Sequence, residues 1–125
     1  FKPDEDLKIY EREVQRLRLS LESAPKTKPL FAILHYPPTN ERFEPSGFTE
    51  TLEEFGVQAC VFGHVHGERA LRTVLGGEVR GVRYRLVSSD VVKFSPVCVW
   101  DAGAPTIASE REVPAYVVEA PRALT

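Results

Sequence analysis

The order of apolar and polar residues first predicts a helix. From residue 4 to residue 24, apolar side chains recur at spacings of three and four with charged residues between them: Leu7, Tyr10, Val14, Leu17 and Leu21. This spacing places the apolar side chains on one face of an amphipathic helix. Asp4 or Asp6 is expected to cap its start. The proline-rich segment 25–29 is expected to end it, because proline cannot continue the hydrogen-bond ladder.

Two apolar runs of strand length follow, with a short helical pattern between them. Residues 30–34 (LFAIL) and 57–62 (VQACVF) are typical of strands buried in a parallel sheet. Residues 48–56 (FTETLEEFG) predict a helix that turns Phe48, Leu52 and Phe55 inward and ends at Gly56. A strand, a helix and a strand in this order form a β-α-β unit, so the carboxyl ends of both strands are expected at one edge of the sheet.

From position 69 the pattern changes to short alternating segments, which predict antiparallel strands and hairpins. The segments are ALRTVL at 70–75, EVRGVRYRLVSSD at 78–90 and VVKFSPVCVW at 91–100, with a turn at Gly76-Gly77. After about Asp101 the periodicity is lost, apart from AYVVE at 115–119, a candidate edge strand. The expected fold class is α/β, a β-α-β unit followed by antiparallel strands.

The composition narrows the classes of function. With 16 basic and 18 acidic residues scattered along the chain and a net charge of −2, there is no electrostatic footprint for nucleic acid or an anionic membrane. No apolar stretch approaches the roughly 18 to 20 residues of a membrane span, and the polar start is unlike a signal peptide. A cytoplasmic location is therefore expected. Cys60 and Cys98 lie in apolar runs without C-x-x-C spacing, so we expect reduced, buried thiols.

All three histidines follow the two predicted parallel strands. His35 comes directly after the first strand, and His64 and His66 lie in the segment G-H-V-H-G after the second. Ligands of open α/β sheets bind beyond the carboxyl ends of the strands. Residues two apart in extended backbone project to the same side, so the three imidazoles are expected to converge.

A single histidine at such a position more often has a core or surface role, but the joint placement favours metal ligation. Gly63 and Gly67 would let the backbone turn sharply and approach an ion closely. Each of these glycines, taken alone, is more simply explained as a turn residue. Both glycines are also candidates to line the substrate pocket. So are Tyr36, Asn40 and Phe43 in the loop after the first strand, although loop aromatics often only cover a core.

These residues resemble the C-terminal half of a calcineurin-like metallophosphoesterase. Members of that family have a lone histidine after a buried strand and a G-H-x-H motif after the next strand, which correspond here to FAILHYPP and VFGHVHG. The wider pattern, with LKIYEREVQRLRLSLE before and GVRYRLVSSDVVKFSP after, is similar to a bacterial subgroup of predicted phosphohydrolases. The resemblance covers about residues 4–96.

The resemblance implies a metal-dependent phosphoester hydrolase with a binuclear centre of Mn, Fe or Zn. His35 and His64 would bind one metal ion and His66 the other. In the family, a metal-bound hydroxide attacks the phosphorus of a small-molecule or protein phosphoester. The implied fold is a two-sheet β-sandwich flanked by helices, with residues 1–100 as the C-terminal portion of the domain and residues 101–125 as a tail.

The chain also departs from the family, because D-x-H, G-D-x-x-D and G-N-H segments are absent. We therefore expect a protein whose N-terminal half is missing and that cannot perform two-metal catalysis by itself; the lack of any methionine agrees with this. Such a half-domain would expose apolar sheet surface. We expect this surface to be covered by the missing half or by self-association with a second copy. Glu68 and Asp90 are the nearest carboxylates, with surface or turn roles favoured for both. Ser88 and Ser89 either line the pocket or form a turn.

Two hypotheses compete with the enzyme. One is a non-catalytic metal-binding or interaction module in which the three histidines hold a single zinc ion. The other is a structural remnant in which the site is empty and the fold serves only for packing.

Overall fold

The structure is a computed structural model that describes residues 3–40, 42, 44–68 and 76–101, and the backbone of 118–119. Its elements in chain order are α1 (Pro3–Glu22), β1 (Phe31–Leu34), α2 (Gly47–Glu54), β2 (Ala59–Phe62), β3 (Gly76–Val79), β4 (Val82–Leu86) and β5 (Val118–Glu119). The strands form one mixed sheet in the order β3-β4-β2-β1-β5. The α/β class predicted from the sequence is confirmed.

The predicted β-α-β unit is present as β1, α2 and β2. The two strands run parallel, with Phe31 beside Ala59 at one end of the ladder and Leu34 beside Phe62 at the other. Ser46 starts α2 through a capping box with Thr49, in which each side-chain oxygen accepts a hydrogen bond from the backbone N–H of the other residue. The helix stops just before Gly56, whose φ of 67° suits a residue without a side chain.

Antiparallel pairing was predicted for this part of the chain and is present, but the turn predicted at Gly76-Gly77 is wrong. β3 and β4 pair antiparallel and are joined by Arg80 and Gly81, whose φ values of 49° and 83° are those of a two-residue hairpin loop. Gly76 and Gly77 belong to β3 instead. A Cβ atom on Gly76 would lie 2.6 Å from the carbonyl oxygen of Tyr84, so close approach of β4 explains a glycine there.

The sequence pattern did not predict that β4 also pairs with β2, in parallel. Consequently three strands, β1, β2 and β4, end at the same edge of the sheet. The strand predicted for residues 91–100 is wrong, because the chain turns at 89–94, where Lys93 and Phe94 have positive φ, and residues 96–100 have no regular secondary structure. The strand predicted at 70–75 lies outside the described residues. Of the candidate edge strand, the described part, β5, pairs in parallel with β1.

Helices α1 and α2 lie on the same face of the sheet and form the core there. Leu17 and Leu21 of α1 and Leu52 of α2 pack with the side chains of that face, which are Ala32, Leu34, Cys60, Phe62, Val82, Tyr84 and Leu86. Cys60 and Cys98 are buried free thiols, as predicted, and burial raises the pKa of the Cys60 thiol. No helix among the described residues is both long and apolar enough to cross a membrane.

The apolar face of α1 is buried only in its second half. Leu17 and Leu21 are almost fully buried, whereas Leu7 and Tyr10 are 55% and 40% exposed. The Tyr10 ring packs edge-on against Phe48, and its hydroxyl accepts a 2.6 Å hydrogen bond from the N–H of Gly47. Tyr10 thus ties the start of α2 to α1.

The start of α1 differs from the prediction. The helix begins at Pro3, so Asp4 and Asp6 lie inside its first turn and are not its cap. Proline is favoured at the first helical position because its missing N–H would have no intrahelical partner there. The two carboxylates remain next to the positive end of the helix dipole, where negative charge is stabilising.

The opposite face of the sheet mixes apolar and basic side chains. Phe31 is buried and packs against the Trp100 ring, with the ring centroids 5.0 Å apart. Ile33 and Val61 are half-buried on this face, and so are Arg83 and Arg85 on β4. Self-association across this surface stays a prediction.

Candidate functional site

The site lies at the edge where β1, β2 and β4 end. Backbone hydrogen bonds continue past these strands: the N–H of Gly63 donates to the carbonyl of His35 at 3.1 Å, and that of Val87 donates to the carbonyl of Phe62 at 2.8 Å. These bonds hold the segments that follow the three strands side by side. Each segment carries a side chain that can bind a ligand or exchange a proton: His35 after β1, His64 and His66 after β2, and Asp90 after β4.

His35 and His64 meet at this edge. His35 Nε2 lies 3.3 Å from His64 Nδ1, and the two ring centroids are 5.2 Å apart. The ring of Tyr36 contacts both, with its centroid 4.6 Å from that of His35 and 4.3 Å from that of His64. The structure therefore brings together three of the residues predicted for the site, in one aromatic cluster.

The convergence expected for His64 and His66 assumed extended backbone between them. The structure instead has a turn at His64. His64 has a φ of 72°, and the N–H of Val65 donates to the carbonyl of Gly63 at 2.9 Å, which closes a tight turn around it. For a residue with a side chain this conformation costs about 1–2 kcal/mol. Such strain concentrates at functional sites, where surrounding contacts hold the residue in place.

Because of this turn, His66 makes a different contact. Its Nδ1 lies 2.9 Å from Asp90 Oδ1, while Asp90 Oδ2 accepts a 2.7 Å hydrogen bond from the N–H of Gly67. The N–H of Val91 donates to Oδ1 at 3.0 Å. Two hydrogen bonds lower the pKa of the Asp90 carboxyl below its usual value. The bond from the Gly67 N–H has the larger effect and the bond from the His66 imidazole the smaller.

Within the described ranges, no group of three His, Cys, Asp or Glu side chains has the geometry of a complete metal site. The convergence of all three histidines is therefore not present; instead there is a His35–His64 pair and a His66–Asp90 pair. For Asp90 the sequence favoured a surface or turn role over a place in the site. Its role becomes visible only with the parallel pairing of β4 and β2, which the sequence pattern did not reveal.

The remaining predicted site residues have mixed positions. The Asn40 side chain is exposed and organises its own loop, accepting hydrogen bonds from the N–H groups of Arg42 and Glu44 through Oδ1. Phe43 lies outside the described residues. Ser88 is 4% exposed, and its hydroxyl has no hydrogen-bond partner among the described residues. Ser88 Oγ lies beside Gly63: a Cβ atom on that glycine would be 3.9 Å from it.

Gly63 and Gly67 differ in backbone conformation, so alanine should affect stability differently at the two positions. Gly67 has a φ of 69°, whereas a Cβ on Gly63 would make only ordinary contacts, at 3.8 Å and 3.9 Å. We expect Gly67→Ala to lower the free energy of unfolding by about 1 kcal/mol and Gly63→Ala to change it by less than about 0.5 kcal/mol. Urea unfolding monitored by circular dichroism measures both free energies. Equal losses of stability in the two variants would contradict a positive φ at Gly67 alone.

No protein-family model, curated protein or solved structure matches this chain. The function is therefore inferred from the geometry and the chemistry of the site.

The distance between the two converging imidazoles fits a shared metal ion. Two nitrogen ligands bound to a tetrahedral zinc ion at about 2.0–2.1 Å each lie about 3.3 Å apart, which is the distance between His35 Nε2 and His64 Nδ1. A direct hydrogen bond between the rings, one donating and one accepting, has a similar length. The described residues fit part of a ligand set, and metal titration distinguishes the two arrangements.

Proposed function

We propose that this chain contributes the histidine ligands of a metal-dependent phosphoester hydrolase. His35 and His64 would hold one divalent transition metal ion (Mn, Fe or Zn), and His66 would hold a second. The observation that carries the proposal is the 3.3 Å approach of His35 Nε2 and His64 Nδ1 beyond the carboxyl ends of two parallel strands. The order of these histidines in the chain, with the resemblance to calcineurin-like metallophosphoesterases, supports phosphoester chemistry.

The chain's own residues would hold and orient the ligands. The β1–β2 ladder fixes the relative positions of the His35 and His64 backbones, and the Tyr36 ring restricts both imidazoles. Bound divalent ions supply the positive charge that polarises a phosphoryl group. Because basic and acidic residues are nearly balanced, with a net charge of −2, metal charge and not a basic patch would attract the phosphate.

The proposal also requires ligands from elsewhere. The segments D-x-H, G-D-x-x-D and G-N-H, which supply carboxylate, asparagine and histidine groups in the family, are absent from this sequence. Those groups would come from an upstream segment of the same protein or from a second polypeptide, together with the rest of a two-sheet sandwich. The substrate would be a small-molecule or protein phosphoester.

Metal binding by the isolated chain tests the first step. Zn²⁺ or Mn²⁺ is added, free ion is removed, and bound metal per chain is measured by plasma mass spectrometry. We expect binding in the unmodified chain and a marked loss in His35→Ala, with Leu19→Ala, an exposed change on α1, as the matched control. No binding in the unmodified chain would contradict the proposal.

Turnover then separates an enzyme from a binding module. Hydrolysis of bis(p-nitrophenyl) phosphate is followed in the presence of each metal. For the chain alone we expect no turnover above that of metal in buffer, and two bound ions with turnover would show that the chain is competent by itself. One bound ion, with no turnover after a polypeptide that carries D-x-H, G-D-x-x-D and G-N-H segments has been added, would favour the single-zinc module.

A further inference from the structure

Asp90 lies where a third parallel strand brings a carboxylate to the histidine edge. β4 pairs with β2 and ends at Leu86, and the turn that follows carries Asp90 back over the segment after β2. There its carboxylate contacts the imidazole of His66, 24 residues away in the chain, and the N–H of Gly67. The contact thus joins a carboxylate from the turn after β4 to a histidine from the segment after β2.

The hydrogen bonds around Asp90 define which nitrogen of His66 carries a proton. An ionised carboxylate only accepts hydrogen bonds, so His66 Nδ1, at 2.9 Å from Oδ1, must be the donor. A neutral imidazole has one donor and one acceptor nitrogen. Nε2 is then left as the acceptor, with its lone pair available to a ligand.

The other two bonds fix the direction of the carboxylate. Oδ2 accepts from the N–H of Gly67, and Oδ1 accepts from the N–H of Val91. Because Gly67 is adjacent to His66 in the chain, the carboxylate holds both the imidazole and its backbone. Asp90 therefore restricts the ring position as well as its tautomer.

We propose that Asp90 is a positioning residue that holds His66 in the Nδ1–H tautomer and presents Nε2 to a metal ion. The metal part of this inference rests on the proposed function, whereas the tautomer does not. Histidine ligands of metal ions commonly donate their second ring N–H to a carboxylate, and loss of such a partner lowers metal affinity about 10–100-fold.

The tautomer is tested in the metal-free protein. Two-bond ¹H–¹⁵N spectra, recorded at about pH 8.5, well above the ordinary histidine pKa of about 6.5, show which nitrogen carries the proton. The chain has only three histidines, so assignment by single substitution is direct. We expect the Nδ1–H form for His66 in the unmodified chain and a shift toward the Nε2–H form in Asp90→Asn. The Nε2–H form in the unmodified chain would overturn the proposal without any variant.

Zinc affinity is measured in the same variants by competition with a chromogenic chelator. We expect Asp90→Asn to bind Zn²⁺ about 10–100-fold more weakly than the unmodified chain. Asp4→Asn, the same chemical change at an exposed position of α1, should leave the affinity unchanged. Circular dichroism of Asp90→Asn shows whether the variant is folded.

The outcomes distinguish the two proposals. A changed tautomer with weaker zinc binding supports the role of Asp90, whereas unchanged affinity in a folded Asp90→Asn overturns its role in metal binding. If the unmodified chain binds no zinc, the proposed function fails, and the tautomer spectra alone then decide whether Asp90 orients His66.

Discussion

Replacing His64 with glycine is expected to abolish tight metal binding at the His35–His64 pair while preserving the fold. His64 supplies one of the two nitrogens that lie 3.3 Å apart, so removing it leaves His35 as a single donor there. Loss of an outer-shell partner already costs about 10–100-fold in affinity, and we expect loss of a direct ligand to cost at least about 100-fold. Zinc titration against a chelator measures this change.

Glycine is the informative substitution because of the backbone at this position. His64 has a φ of 72°. Glycine relieves a conformational cost of about 1–2 kcal/mol and adds an entropic cost of about 0.5–1 kcal/mol, so stability should stay within about 1 kcal/mol. His64→Ala keeps the strain and should be less stable than His64→Gly in urea unfolding. Undiminished zinc affinity in His64→Gly would contradict a ligand role for His64.

Leu17→Ala is expected to lower the free energy of unfolding by about 2–5 kcal/mol, because a large buried side chain would be replaced by a cavity. Leu17 is 2% exposed and packs in the core between α1 and the sheet. A domain of this kind has a total stability of about 5–15 kcal/mol, so a large fraction of it would be lost.

The matched control is on the same helix. Leu19 is 55% exposed, and Leu19→Ala makes the same chemical change without opening a cavity. Its effect should be within about 0.5 kcal/mol. Urea unfolding of the two variants provides the comparison, and similar losses for both would mean that α1 does not pack on the sheet through the face that contains Leu17.

Elements with strong local signals were predicted correctly. The β-α-β unit was identified because its strands are continuous apolar runs and its helix has a period of three to four residues, ended by Gly56. The placement of His35 and His64 at one edge followed from that unit. Physical rules that relate consecutive elements were sufficient there.

Two features of the chain after β2 were predicted wrongly. The turn at Arg80-Gly81 was misplaced to Gly76-Gly77, because glycine in a sequence signals either a turn or a close backbone approach. The strand expected at 91–100 is absent: residues 91–94 form turns and residues 96–100 have no regular secondary structure. Residues 91–100 have strand-like composition, but composition does not report the positive φ values at Lys93 and Phe94.

The sequence by itself determined the α/β class, the parallel pairing of the first two strands, the burial of both cysteines and the meeting of His35 with His64. These follow from short-range patterns and from the geometry of one β-α-β unit. Only the tertiary structure decided that His66 pairs with Asp90, because this contact needs the parallel alignment of β4 with β2 and the tight turn at His64. Strand order is set by packing over the whole sheet, so it cannot be predicted from local periodicity.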